Sequence, residues 1–200
     1  GGALLADRKT MIIGIGGTGL TAIREVRRLI AEEYERGLKA PEVGMVKFLY
    51  VDTDGGDQNR LRWTVLDKPI QLAESERVVV TGDQLRPLVE QPEDYPDVGP
   101  WLPAIQDYIG DPGPGAKGIR PYGRLIYEYS GNKKRIHDQM ISLKNELDRE
   151  YPHLSEWRFY LVCGLSGGTG SGMFLPFSYD LIRWRLYARG STDHKFHSFF

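Results

Sequence analysis

The chain has 200 residues, 40% hydrophobic and 26% charged, with a formal net charge of −1. That length suits one α/β domain with its own core, and the even charge balance argues against a nucleic-acid surface as its main business. With one cysteine, no leader pattern and no apolar run of membrane-spanning length, the expectation is a cytoplasmic protein without disulfides or membrane helices.

Residues 1–9 are set aside as a flexible N-terminal segment, and residues 10–200 are read as one domain. Met11-Ile-Ile-Gly-Ile15 is a short buried strand, and Gly14-Ile-Gly-Gly-Thr-Gly19 is the turn behind it. Leu20, Ile23, Val26, Ile30 and Tyr34 then recur at helical spacing with charged residues between them, which predicts an amphipathic helix of about five turns stopping near Gly37. Met45-Val-Lys-Phe-Leu-Tyr-Val51 is a second strand, running into Asp52-Thr-Asp54. Strand, glycine turn, helix and strand make a βαβ unit with parallel strands. Taken alone, Gly14, Gly16 and Gly19 with Asp52 also satisfy the dinucleotide pattern, so a nicotinamide or flavin oxidoreductase stays open at this point.

The middle of the chain is less regular. Residues 57–63 are expected to form one or two helical turns, Arg77-Val-Val-Val-Thr81 a brief strand, and Gly82 and Asp83 the start of a helix through Val89. Residues 91–118 are rich in proline and glycine, and Tyr95, Trp101 and Tyr108 suggest a loop packed onto the body, with a short helix near residues 104–108. Pro121 is placed to open a helix. Leu125, Tyr129, Ile136, Met140, Leu143 and Leu147 then mark one face of a single long helix to about Arg149. The last strong pattern is Arg158-Phe-Tyr-Leu-Val-Cys163 followed by Gly164-Leu-Ser-Gly-Gly-Thr-Gly-Ser-Gly172, in which five of nine residues are glycine. An apolar helical face begins at Met173, with Pro176 in its first turn, and is expected to end at Gly190 before a strand at residues 195–200. His194 and His197 beside Asp193 are too few for a metal site.

Buried strand, glycine loop and helix start make an anion-binding device: glycine lets amides turn toward a phosphate, and the helix end adds partial positive charge. No lysine follows in the P-loop position. Two such loops, after the first and fourth strands, are one more than a dinucleotide fold needs.

Ser166-Gly-Gly-Thr-Gly-Ser-Gly172 resembles the signature loop of the tubulin/FtsZ superfamily, and residues 14–22 resemble its first loop, except that FtsZ usually has Asn where this chain has Thr21. Gly-Ala-Lys-Gly-Ile-Arg-Pro-Tyr-Gly-Arg, residues 115–124, is similar to a segment of the large bacterial tubulin-like proteins. The resemblance implies a Rossmann-like, three-layer, doubly wound and mostly parallel α/β sheet, here the N-terminal part of a longer nucleotide-binding domain. It implies GTP or GDP as ligand, with phosphates held by Gly16, Gly17, Thr18, Gly19 and Thr21 of the first loop and by Ser166, Gly167, Gly168, Thr169, Gly170 and Ser171 of the signature loop. A γ-phosphate-sensing loop would comprise Gly115, Ala116, Lys117, Gly118 and Arg120. Asp52 and Asp54 are the acids for Mg²⁺, through its waters. It names no catalytic residue within the chain. In the family, acids from a downstream loop of the next protomer complete hydrolysis, so homo-oligomers or filaments are the expected partners. A scaffold that does not hydrolyse nucleotide remains the other alternative.

Overall fold

The computed structural model describes residues 8–35, 45–55, 61–96, 98–102 and 113–187. Four strands form one parallel sheet in the order β5-β2-β1-β6: β1 is Lys9–Ile15, β2 Val46–Asp52, β5 Arg77–Val79 and β6 Trp157–Cys163. The period-2 alternation of these strands sorts their side chains into two layers. Met11, Ile13, Ile15, Leu49 and Val51 face one core, where Phe159, Leu161 and Cys163 of β6 also pack. Ile12, Val46, Phe48 and Tyr50 face the other, joined by Tyr160 and Val162. Apolar on both faces, the strands read as unbroken hydrophobic runs, as a buried parallel sheet requires.

The helix α1, Gly16–Glu35, covers the second layer with Leu20 and Ile23. Helices α3, Arg120–Glu128, α4, Ser130–Glu150, and α5, Gly168–Tyr187, cover the first with Tyr122, Leu125, Ile136, Met140, Met173 and Phe177. Fully buried groups such as Ile13, Leu49 and Phe177 each stabilise the fold by about 1.5–3 kcal/mol. This is the expected three-layer α/β architecture. Among the described residues, no helix is long and apolar enough to cross a membrane.

Several local expectations give way to the structure. Arg62–Val65 is a strand, β3, paired antiparallel with Lys68–Gln71, β4; of the helical turns expected over residues 57–63, Leu61 is in a 3-10 turn and residues 62 and 63 belong to the strand instead. Leu66 and Asp67 join them with φ of 48° and 60°, the left-handed pair of a two-residue hairpin turn. Leu61 and Leu72 flank the hairpin and bury it against the second core. The short helix α2 is Arg86–Glu90, beginning after the turn at Gly82 rather than in it.

The single long helix expected from Pro121 onward is two helices. Tyr129 has ψ of 121°, which breaks the hydrogen-bond ladder between α3 and α4. Asn132 holds the break, its Nδ2 donating to Ile126 O and to Thr81 O, both at 2.9 Å. Ser130, Gly131 and Asn132 are all weak helix formers, which is why the chain turns there.

The helix α5 starts at Gly168, five residues before Met173, so Pro176 lies inside it and not in its first turn. Tyr95 and Trp101 pack against the core as expected of their loop. The expectations for Gly37, residues 57–60, residues 104–108 with Tyr108, Gly190, the strand at residues 195–200 and the histidine pair lie outside the described residues.

Candidate functional site

The chain steps from β1 to β2 to β5 on one side, and β6 then joins β1 on the other. The carboxyl ends of β1 and β6 thus stand side by side where strand order reverses, the usual place for a ligand in an open α/β sheet. Both strands empty almost directly into 20-residue helices, α1 at Gly16 and α5 at Gly168. Gly16, at φ +68°, makes the turn that only glycine enters without strain. A Cβ on it would lie 3.5 Å from Thr169 Cβ, so the two helix N-termini are neighbours. Each presents first-turn amides with no carbonyl partner in the helix and the positive end of its dipole.

A third loop, residues 113–119, packs against the start of α5. Its link is Thr53, just past β2 and almost fully buried. Thr53 Oγ1 lies 2.6 Å from Thr169 Oγ1 and accepts a bond from Ala116 N at 3.0 Å, while Gly115 N donates to Thr53 O at 3.0 Å. A Cβ on Gly168 would strike Ile119 N at 2.7 Å and Ala116 O at 2.8 Å, so the signature loop and the third loop touch backbone to backbone. The Arg120 guanidinium also donates to Leu165 O at 3.3 Å. Thr53 is the residue that sequence reasoning passed over for its acidic neighbours. Thr53→Val removes a hydroxyl of nearly unchanged shape and leaves the Ala116 amide and the Thr169 hydroxyl without it. Each buried loss costs about 1–3 kcal/mol, so thermal melting should drop and proteolysis at residues 113–119 should quicken. Wild-type melting and protease resistance would remove Thr53 from this role.

The other expected site residues divide by geometry. Thr18, Lys117, Gly118, Arg120, Ser166 and Gly167 are exposed at the lip, and Gly17 and Gly115 are half-buried there. Around Gly115, Gly118 and Gly167 an added Cβ would meet no atom within 4 Å: the loops leave an open cradle. Lys117 has φ of 52° between two left-handed glycines, and its ammonium sits 5.7 Å from the Tyr122 ring centroid. Tyr122 anchors this loop from below, exchanging hydrogen bonds with the backbone of Gly113 at 2.6 Å.

Two hydroxyls point elsewhere. Thr21 Oγ1 donates to Gly17 O at 3.1 Å, one turn back on α1, and Ser171 Oγ to Gly167 O, just before α5. Gly19 and Gly170 are buried packing positions, Gly19 against Gly14 and Val162 O, and Gly170 against Gly164 O and Cys163. Burial pushes the Cys163 thiol up, in keeping with a structural cysteine under the loop.

Asp52 and Asp54 differ sharply. Asp52 is buried, with Oδ2 accepting from the Tyr50 hydroxyl and Oδ1 from the amides of Thr53 at 2.7 Å and Asp54 at 3.4 Å. Its carboxylate is committed to the turn and does not fit a direct metal ligand. Asp54 is exposed at the rim, where a hydrated cation shared with phosphates could be met through water. Among the described residues, no group of three or more His, Cys, Asp or Glu is arranged to hold a metal ion by itself.

Residues 11–194 match the family model described as "Tubulin like". The chain belongs to the tubulin-like family. This tubulin-like chain is also similar to a solved structure, CetZ2 from Haloferax volcanii, a GTPγS-bound protofilament. The identity is 17% and the TM-score 0.38, over 95% of this chain and 39% of that one, so the present chain spans well under half the length of that relative. None of the curated proteins matches it.

Proposed function

We propose that the three loops of this tubulin-like chain bind a guanine nucleotide, GTP or GDP, by its phosphates. The observation that carries the reading is the pairing of two long helix N-termini, α1 and α5, beneath an open glycine-lined cradle. In this reading the amides at Gly17, Thr18, Gly168 and Thr169 would donate to phosphate oxygens, with the hydroxyls of Thr18 and Ser166 at the lip. The third loop, with Lys117 and Arg120, is the part that would meet a γ-phosphate. Mg²⁺ would be held by the phosphates and, through water, by Asp54, and would supply charge neutralisation at the phosphate oxygens. Family membership favours guanine over adenine. The oxidoreductase alternative would leave the 164–168 loop without a ligand although it is hydrogen-bonded into the same site.

Hydrolysis is the second part of the proposal. The lip residues bind and orient phosphates, but none is a carboxylate placed to activate water on the far side of a γ-phosphate, since Asp52 is turned inward. The missing group would come from another protomer, which couples turnover to self-association. The specific GTPase rate of the full-length protein should therefore rise with protein concentration. A brisk rate that does not depend on concentration would mean that one protomer holds all the catalytic groups.

A further inference from the structure

A groove of about 880 Å³ runs along α3 and α5, beside the three loops and sharing Arg120 and Ser171 with them. That volume falls within the roughly 300–1,000 Å³ of ordinary ligand sites. Its walls mix two chemistries. Leu175 is 70% and Tyr179 61% exposed, two large apolar groups one turn apart on α5. Four cationic side chains, Arg120, Arg124, Lys133 and Arg183, line it against only two acids, Glu128 and Asp180. Lys133 bridges the two acids, its Nζ 3.3 Å from Glu128 and 2.7 Å from Asp180, and the Tyr127 hydroxyl donates to Asp180 at 2.9 Å, so four cations against two acids leave a local surplus of positive charge. Of the guanidiniums, Arg124 Nε also lies 4.0 Å from Glu128, one turn along α3. Arg124 stacks over Trp101 at 4.3 Å from the ring centroid, and Arg183 lies 5.7 Å from that of Tyr179. On a chain of net charge −1, this is a locally positive slot with apolar walls.

We propose that this groove docks an acidic peptide segment of a partner protein, one carrying an aromatic or large aliphatic anchor. The anchor would pack in the groove over the α3–α5 seam against Leu175 and Tyr179, and flanking carboxylates would meet Arg124 and Arg183 through charge-assisted forked hydrogen bonds. Concavity favours a chain segment over a bilayer, because a flat surface reaches the rim but not the floor of the groove, where α3 and α5 meet backbone to backbone. Burying one aromatic in such a slot, ringed by opposite charge, is the usual make-up of an interface hot spot.

The test is fluorescence polarisation of the whole protein against a fluorescein-labelled peptide of glutamates around a central tryptophan. Saturable binding is expected, weakened about tenfold or more by Arg183→Glu, by Leu175→Ser, and by glycine in place of the peptide's tryptophan. All three positions lie on exposed surface or in the peptide, so melting of the protein should not change. Absence of saturable binding, or binding indifferent to both protein substitutions, would overturn the proposal. So would Arg183-dependent sedimentation with phosphatidylserine vesicles by a protein that ignores the peptide, which would assign the patch to a membrane surface.

Discussion

Gly167→Val should lower affinity for GDP at least about a hundredfold, some 2.8 kcal/mol, and leave the protein folded. Gly167 has no atom within 4 Å of an added Cβ, and its φ lies outside the left-handed region. A valine there is accepted by the backbone and fills only the space in which phosphate oxygens would sit. Gly168→Val would be a poor substitute, because its Cβ would collide with the backbone of residues 116–119 and confuse lost binding with lost structure. Titration calorimetry with GDP, beside circular dichroism and thermal melting, separates the two effects. A folded Gly167→Val protein with wild-type affinity would remove the signature loop from the phosphate site.

Gly19→Ala should do the opposite, destabilising the fold by about 1–3 kcal/mol with little specific effect on ligand. Its Cβ would lie 2.5 Å from Gly14 C, 2.7 Å from Gly14 Cα and 2.9 Å from Val162 O. All of these are backbone atoms of β1 and β6, and none can rotate away. Relief requires α1 to lift from the sheet. For a chain of this size each kcal/mol lowers the melting temperature by about 2–4 °C. An unchanged melting temperature with a hundredfold loss of GDP affinity would place Gly19 at the ligand and not in the packing.

These two glycines show what the amino-acid sequence could tell and what it could not. Strand runs and the first glycine turn sufficed for a parallel βαβ unit, and the resemblance carried by the glycine loops supplied the three-layer, doubly wound sheet around it. Apolar periodicity, however, starts only where a helix begins to bury a face. It therefore placed the start of α5 at Met173 instead of Gly168, and it ran α3 and α4 together because Leu125 and Ile136 share a phase across Tyr129. Glycines of one motif looked alike on paper, yet Gly167 faces open space and Gly19 faces a backbone. Thr53 went unseen because a lone threonine between two aspartates has no pattern; its part comes from partners 63 and 116 residues away. The hairpin at Leu66 and Asp67 was missed for want of the asparagine–glycine pair that usually marks such a turn.

The central claim is that the paired helix N-termini and the third loop hold the phosphates of a guanine nucleotide. Calorimetric titration of the purified protein, stripped of nucleotide, with GDP, GTP, ATP and NAD tests it most directly. The account predicts saturable binding of GDP and GTP with one nucleotide per chain, and weaker binding of ATP and NAD. NAD binding tighter than GDP, or no nucleotide binding by a folded protein, would contradict it.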